Sequence, residues 1–291
     1  LNTRRITHPT AARIPSRSAT RGASRAAGIL VAGLAALALV GCATGGTSGD
    51  SSSPEPTASA DAAPELEGEL TVYAAASLTA SFDELAESFE EAHPGVDVLP
   101  IVYDGSSVLA TQLVEGAPAD VFASADERTM ATVTDADLVD GEPELFASNT
   151  LRIATPAGNP GGVETIDDLA DPALSVVLCA VEVPCGAASR KLLDLDGVSV
   201  TPVSEEQNVS AVLTKVKSGE ADAGLVYATD VAAAGDDVES IEPEGADEVV
   251  NTYPIAALRG AASSDVAAAF VAFVLGDEGQ AVLEAHGFGA P

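Results

Sequence analysis

Basic residues are scarce in this chain. Lysine and arginine number 13 in 291 residues, against 45 aspartates and glutamates. Six of the arginines (Arg4, Arg5, Arg13, Arg17, Arg21 and Arg25) fall in the first 41 residues, which hold no acid. The remainder therefore sets seven basic residues against all 45 acids. Duplex nucleic acid is bound by clustered cationic side chains that displace its counterions. This balance excludes it as a partner and argues equally against charge-driven adhesion to anionic lipid. A large net charge keeps a protein soluble, which is reason enough for the acidic excess. Nucleophilic hydrolysis is also poorly served. There is no G-x-S-x-G elbow, and His93 and His286 have no motif placing either beside a serine. A serine hydrolase needs a nucleophile, a base and an orienting acid, so it stands as a distant alternative and the chain is read as not an enzyme.

The arginine-rich start is followed by an apolar run, Ala26 to Val40, and then Gly41-Cys42. A basic segment, a short apolar segment and a small-residue site describe a secretory signal. The run falls short of the roughly 20 residues that cross a membrane comfortably. Leu39-Val-Gly-Cys42 resembles the lipobox of bacterial lipoproteins, which implies cleavage before Cys42 and lipid on its sulfur. An uncleaved anchor and a plain secretory signal are the alternatives. The expected division is a signal at 1–41 and, from 42 to 66, a tether of small, polar and proline-containing sequence that cannot offset its ordering entropy. The folded part begins at 67. Outside the cytoplasm, Cys179 and Cys185 in CAVEVPC are either a disulfide closing a small loop or two buried thiols. With Cys42 lipidated, His93 and His286 are the only histidines after the signal, and a zinc site has few soft ligands to draw on.

From 67 onward, strand-like runs alternate with amphipathic helices, the pattern of an α/β protein with parallel sheet covered by helices. The runs include 69–73, 96–102, 120–123, 151–154, 175–179, 198–203, 224–226 and 249–257. Helices are expected at 81–92, 108–115, 127–134, 166–170, 187–193, 209–218, 264–275 and 278–285. His93-Pro94-Gly95 ends the first helix, with Gly95 permitting the turn.

In open parallel sheets, ligands sit beyond the carboxyl ends of strands, where helices begin. Two such junctions are rich in hydroxyls: AAASLT at 74–79 and YDGSSVLA at 103–110. Unpaired N–H groups and a partial positive charge at a helix start, joined by a serine hydroxyl, form a donor cluster for an anion. Ordinary serine capping is the competing explanation. The alanines ahead of Ser77 keep the approach open for something compact.

Seven stretches together carry a resemblance: AAASLTASFDELAESFE (74–90), DGSSVLATQLVEGAPADVFASAD (104–126), NTLRIATP (149–156), VPCGAASRKLL (183–193), NVSAVLTKVKSGEADAGLVYATD (208–230), YPIAAL (253–258) and EAHGF (284–288). They resemble, in order, the periplasmic molybdate-binding proteins of ABC importers, which are type II solute-binding proteins. The resemblance implies a two-lobed fold, each lobe a mostly parallel sheet flanked by helices, with the ligand cleft between them. Lobe 1 would comprise 67–148 plus 252–291, and lobe 2 149–251, with crossings near 146–150 and 248–253. It implies a tetrahedral oxyanion held by neutral donors: Ser77 and Ser106 through hydroxyl and backbone N–H, Cys185 and Val209 through backbone N–H, and Tyr227 through its phenol. The metal is reached through its oxygens, with no residue ligating it directly. Cys185 stands where the family's motif has alanine, a change a backbone donor survives. Asp104, Asp120 and Asp230 lie near the cleft and are expected to turn away, cap helices or bond backbone groups.

The implied function is an extracytoplasmic receptor, lipid-anchored to the outer face of the cell membrane. It would bind molybdate or tungstate without a cofactor and deliver it, as a monomer, to the permease of an ABC importer. A receptor for sulfate or thiosulfate is the near alternative.

Overall fold

The computed structural model describes residues 65–291; the expected signal, Cys42 and most of the tether lie outside the described residues. The chain opens with β1 (Glu67–Leu70), β2 (Val72–Ala75) and α1 (Thr79–Ala92). Then come β3 (Gly95–Val98), β4 (Val102–Asp104), α2 (Ser106–Val114), β5 (Val121–Ala123), α3 (Glu127–Asp135) and β6 (Glu144–Asn149). A second group follows: β7 (Leu151–Pro156), β8 (Val176–Cys179), α4 (Pro184–Asp196), β9 (Ser204–Glu206), α5 (Val209–Lys217), β10 (Ala223–Tyr227), α6 (Ala228–Ala234) and β11 (Val238–Ile241). The chain closes with β12 (Asn251–Ala257), α7 (Ser264–Leu275) and α8 (Asp277–Ala285).

The strands build two five-stranded sheets, in the orders β4-β2-β5-β12-β6 and β11-β7-β10-β8-β9, and a small β1-β3 ribbon. Each large sheet with its helices is a lobe. The chain passes between lobes twice, once at Asn149 to Leu151 and once between Ile241 and Asn251. Both large sheets are mixed. The expected parallel pairing is present on β2 with β4 and β5, and on β8 with β9 and β10. Antiparallel partners complete each sheet at β12 and β7. The strands that feed the cleft are thus the parallel ones.

Each lobe has its own core. In lobe 1, α1 buries Ser81, Phe82, Leu85 and Phe89 on one face. Phe82 meets Phe146 at 5.8 Å and Phe89 meets Phe270 at 5.2 Å between ring centroids, in tilted and edge-to-face arrangements that favour aromatic pairs. Lobe 2 is packed with aliphatic side chains such as Leu151, Ile153, Leu192, Val212 and Leu225. Ala76 of the first lobe packs with that second core.

Several local expectations change. The run 96–102 splits into β3 and β4 around Pro100, which has no N–H to give to a ladder. Gly95 is not the turn residue. It starts β3, and a Cβ there would lie 2.6 Å from the Leu66 carbonyl oxygen, so close backbone approach demands the glycine. The run 198–203 forms no strand; pairing with β8 begins at Ser204. The strands β6 and β11 and the seven-residue α6 have no counterpart in the sequence reading.

Candidate functional site

Ser77, Ser106, Cys185, Val209 and Tyr227 all line one pocket where the lobes meet, about 220 Å³ including its mouth. The fold brings them there by a repeated device. The strands β2, β4 and β8 each end at the cleft and hand over to a helical turn. Ala74 and Ala75 are fully packed at the end of β2, and the single turn Ala76–Leu78 carries Ser77 into α1. Ser106 is the first residue of α2. Pro184 opens α4 without an N–H, so the leading donor of that helix is the N–H of Cys185. Val209 is the first residue of α5, where N–H groups have no partner within the helix. Tyr227 ends β10 and is buried.

Two of the hydroxyls have their oxygens taken by donors. The N–H of Ala125 donates to Ser106 Oγ at 3.0 Å. The amide of Asn251 donates to the Tyr227 hydroxyl at 3.1 Å and to the Ala125 carbonyl at 2.9 Å. A carbonyl can only accept, so this fixes which end of the amide faces the tyrosine. Ser77 Oγ lies 3.0 Å from the Tyr253 hydroxyl, which in turn receives a long bond of 3.5 Å from the Asn149 amide. Asn149 is oriented by the Thr150 N–H on its Oδ1 and by its own donation to Thr229 Oγ1 at 2.8 Å. For Ser106 and Tyr227 a donor occupies the hydroxyl oxygen and leaves the proton to point elsewhere; between Ser77 and Tyr253 either hydroxyl can donate. Burial pushes the phenol pKa values of Tyr227 and Tyr253 upward, so both keep their protons. The pocket therefore presents donors, which suits an anion with no proton of its own.

The acids are disposed differently from one another. Asp120 accepts from Thr71 and Ala262 N–H, both at 2.7 Å. Asp230 accepts from the Tyr227 N–H at 2.9 Å, and burial pushes its pKa up to about 7. Asp104 does line the pocket. Its Oδ1 receives the Gly105 N–H and the Asn208 amide, each at 2.7 Å, and Asn208 belongs to the other lobe. Beside Pro184, Cys179 and Cys185 are joined by a disulfide with Cα atoms 5.7 Å apart, closing the turn from β8 into α4. Across the cleft, Ser107 Oγ and Arg128 donate to the Glu182 carbonyl at 2.7 and 2.9 Å, so the lobes are in contact.

Among the described residues, no histidine is bonded to these serines to form a triad. His93 stacks on Phe89 and His286 bonds Glu84. Among the described residues, no group of three or more His, Cys, Asp or Glu is placed to hold a metal ion, and no single helix is long and apolar enough to cross a membrane. The supporting residues Asn149, Asn251, Tyr253, Asn208 and Ala125 were not assigned roles from sequence. The crossing segments near 146–150 and 248–253 contain three of them, but their bonds are long-range and leave no local pattern.

The family model for bacterial extracellular solute-binding proteins matches residues 70–289. The molybdate-binding protein ModA of Mycobacterium tuberculosis is 42% identical over 263 residues, covering 90% of this chain and 97% of that protein. ModA of Escherichia coli is 31% identical over 233 residues, covering 76% and 89%. Among solved structures, the periplasmic molybdate-binding protein of Azotobacter vinelandii superposes with a TM-score of 0.68 at 23% identity, over 76% of this chain and 99% of that one. The sulfate-binding protein SubI of M. tuberculosis gives 0.66 at 20% identity, over 76% and 86%. These two show the shared fold. The chain belongs to the bacterial extracellular solute-binding proteins, among the relatives of the molybdate-binding protein ModA.

Proposed function

We propose that this protein is the extracytoplasmic receptor of an ABC importer for molybdate, with tungstate as an equivalent ligand. The ion is held by the hydroxyls of Ser77, Ser106 and Tyr227 and the backbone N–H groups of Cys185 and Val209. The observation that carries this reading is the gathering of these five residues around one pocket, with the oxygens of Ser106 and Tyr227 each already taken by a donor. Molybdate and tungstate are tetrahedral dianions that carry no proton at neutral pH, so a lining of donors matches them. Phosphate keeps a proton that calls for an acceptor, and a lining of donors disfavours it. The relatives at 42% and 31% identity are named for molybdate, which favours it over sulfate.

Lipid on Cys42 would hold the monomeric receptor at the outer face of the membrane, within reach of the permease. The ion bridges both lobes, and its preference for the closed arrangement is what drives closure. Isothermal titration with molybdate, tungstate, sulfate and phosphate tests the assignment. One-to-one heats with the first two and none with the last two are expected. Saturable binding of sulfate with no response to molybdate reassigns the receptor to sulfate, and silence with all four ends the proposal.

A further inference from the structure

Asn208 bonds in two directions. Its Oδ1 accepts the Ala211 N–H at 2.9 Å and so caps α5. Its Nδ2 crosses the cleft to Asp104 Oδ1 at 2.7 Å. With one acceptor and one set of donors, both ends of the amide are assigned and its orientation is fixed. Asp104 lies two residues before Ser106, and Asn208 one residue before Val209. The bond therefore ties together the two backbone segments that carry a donor from each lobe. Between them the lobes meet backbone to backbone: a Cβ on Gly105 would lie 2.0 Å from the Gln207 carbonyl oxygen.

We infer that Asp104 and Asn208 form a closure latch, in which Asn208 is a positioning residue coupling the cap of α5 to the approach of the lobes. This gives a reason for a carboxylate on the rim of a pocket meant for anions. Asp104 Oδ1 is spent on a charge-assisted bond that exists only when the lobes are together. The same side chain whose oxygen sets the first turn of α5, and with it the Val209 N–H, is the one Asp104 grips. Closure and donor orientation are therefore a single event. A purely local role for Asp104, bonding its neighbour Gly105, would leave Asn208 free to vary.

The inference rests on the molybdate reading, and the experiment separates the two. Asn208→Asp keeps the helix cap, because aspartate caps as well as asparagine. It also sets a carboxylate against Asp104. Adding Asp104→Asn removes the opposed charge at the net charge of the wild type, and its amide can donate across the cleft in exchange for the Gly105 bond. Molybdate affinity by titration should fall about tenfold or more in N208D, as expected for like charges forced together, and return to within about threefold in the double variant. Unchanged affinity in N208D overturns the latch, and so does a loss that the second substitution does not rescue. If the wild type gives no molybdate heat, the functional reading has failed. The latch is then judged on small-angle scattering of the three ion-free proteins. An expanded N208D beside compact wild type and double variant sustains it; three superimposable curves overturn it.

Discussion

Asn149 and Asn251 face each other as antiparallel partners in β6 and β12, at the two places where the chain crosses between lobes. Asn149 donates to Thr229 of lobe 2 and, at long range, to Tyr253 of lobe 1. Asn251 donates to Ala125 of lobe 1 and Tyr227 of lobe 2. The pair lies behind the pocket lining, and Asn251, by occupying the Tyr227 oxygen, sets the direction in which Tyr227 gives its proton. Asn251→Ala leaves the Tyr227 hydroxyl free to turn its lone pairs toward the ion. Affinity for molybdate should drop by one to two decades, matching roughly 1–3 kcal/mol for an unpaired buried oxygen. If Asn251 acts through the tyrosine, combining it with Tyr227→Phe costs much less than the sum of the two single losses. Full additivity in titrations of the four proteins would show that Asn251 serves something else.

The two serines should behave differently when removed. Ser106 is buried and its oxygen satisfies the Ala125 N–H, so Ser106→Ala orphans a buried donor as well as deleting one for the ion. Ser77 is half-buried and its partner Tyr253 keeps a bond from Asn149. Both variants should lose affinity, each by an amount on the order of 1–3 kcal/mol. Only Ser106→Ala should also lower the unfolding temperature of the ion-free protein. Equal melting curves for the two variants contradict this assignment of the Ala125 bond.

Gly105 separates closure from folding. Its φ of −57° and ψ of 131° suit any residue, so Gly105→Ala has no backbone reason to destabilise lobe 1. Its Cβ, however, would meet the Gln207 carbonyl of the other lobe at 2.0 Å. The variant should keep both lobes folded, lose most of its molybdate affinity, and stay more expanded than the wild type in scattering with molybdate present. Wild-type affinity would mean the lobes bind the ion without meeting here.

Ser77 and Ser106 were legible because AASLT and DGSS announce hydroxyls at helix starts, whereas Cys185, Val209 and Tyr227 were reached only through the family resemblance. What escaped is what acts at a distance. Asn251 reaches Ala125, 126 residues away, and Asn208 reaches Asp104, 104 residues away. Nothing beside either asparagine in sequence reveals the partner. The mixed character of the sheets was hidden for a similar reason. β12 returns from the second lobe to lie between β5 and β6, antiparallel to both, and that placement is not set by its own residues. β6, with the sequence ELFASN, lacks the alternation that marks a half-buried strand.

The disulfide closes a loop between residues six apart, from the end of β8 to the second residue of α4. Constraining so short a loop in the unfolded chain is worth about 2 kcal/mol in the chain-entropy account. The pair Cys179→Ser, Cys185→Ser should unfold at lower denaturant by that amount. It should also bind molybdate more weakly, because the Cys185 N–H then has to be ordered on binding. Unchanged affinity in the pair would confine the disulfide to stability.

Asp230 gives the protein a specific dependence on pH. It is buried behind Tyr227, and loss of solvation pushes its pKa from the ordinary 3.8 up to about 7, against the opposing effect of the Tyr227 N–H. In the unfolded chain this carboxyl ionises near its ordinary value. Between 3.8 and about 7 the folded state therefore holds the proton that the unfolded state has lost. Stability from this group is complete below the lower value, falls as pH rises through the window, and levels off above the upper one. Asp230→Asn keeps an oxygen for the Tyr227 N–H and removes the titration. Measured by urea unfolding from pH 4 to pH 8, the variant should gain on the wild type steadily through the window. The gain should reach several kcal/mol near pH 7 and stay constant beyond it. Taking the difference between the two proteins cancels the slopes contributed by the other acids. A difference that does not change with pH would mean that Asp230 is ionised within the fold and that its burial is offset by bonds beyond the one from Tyr227.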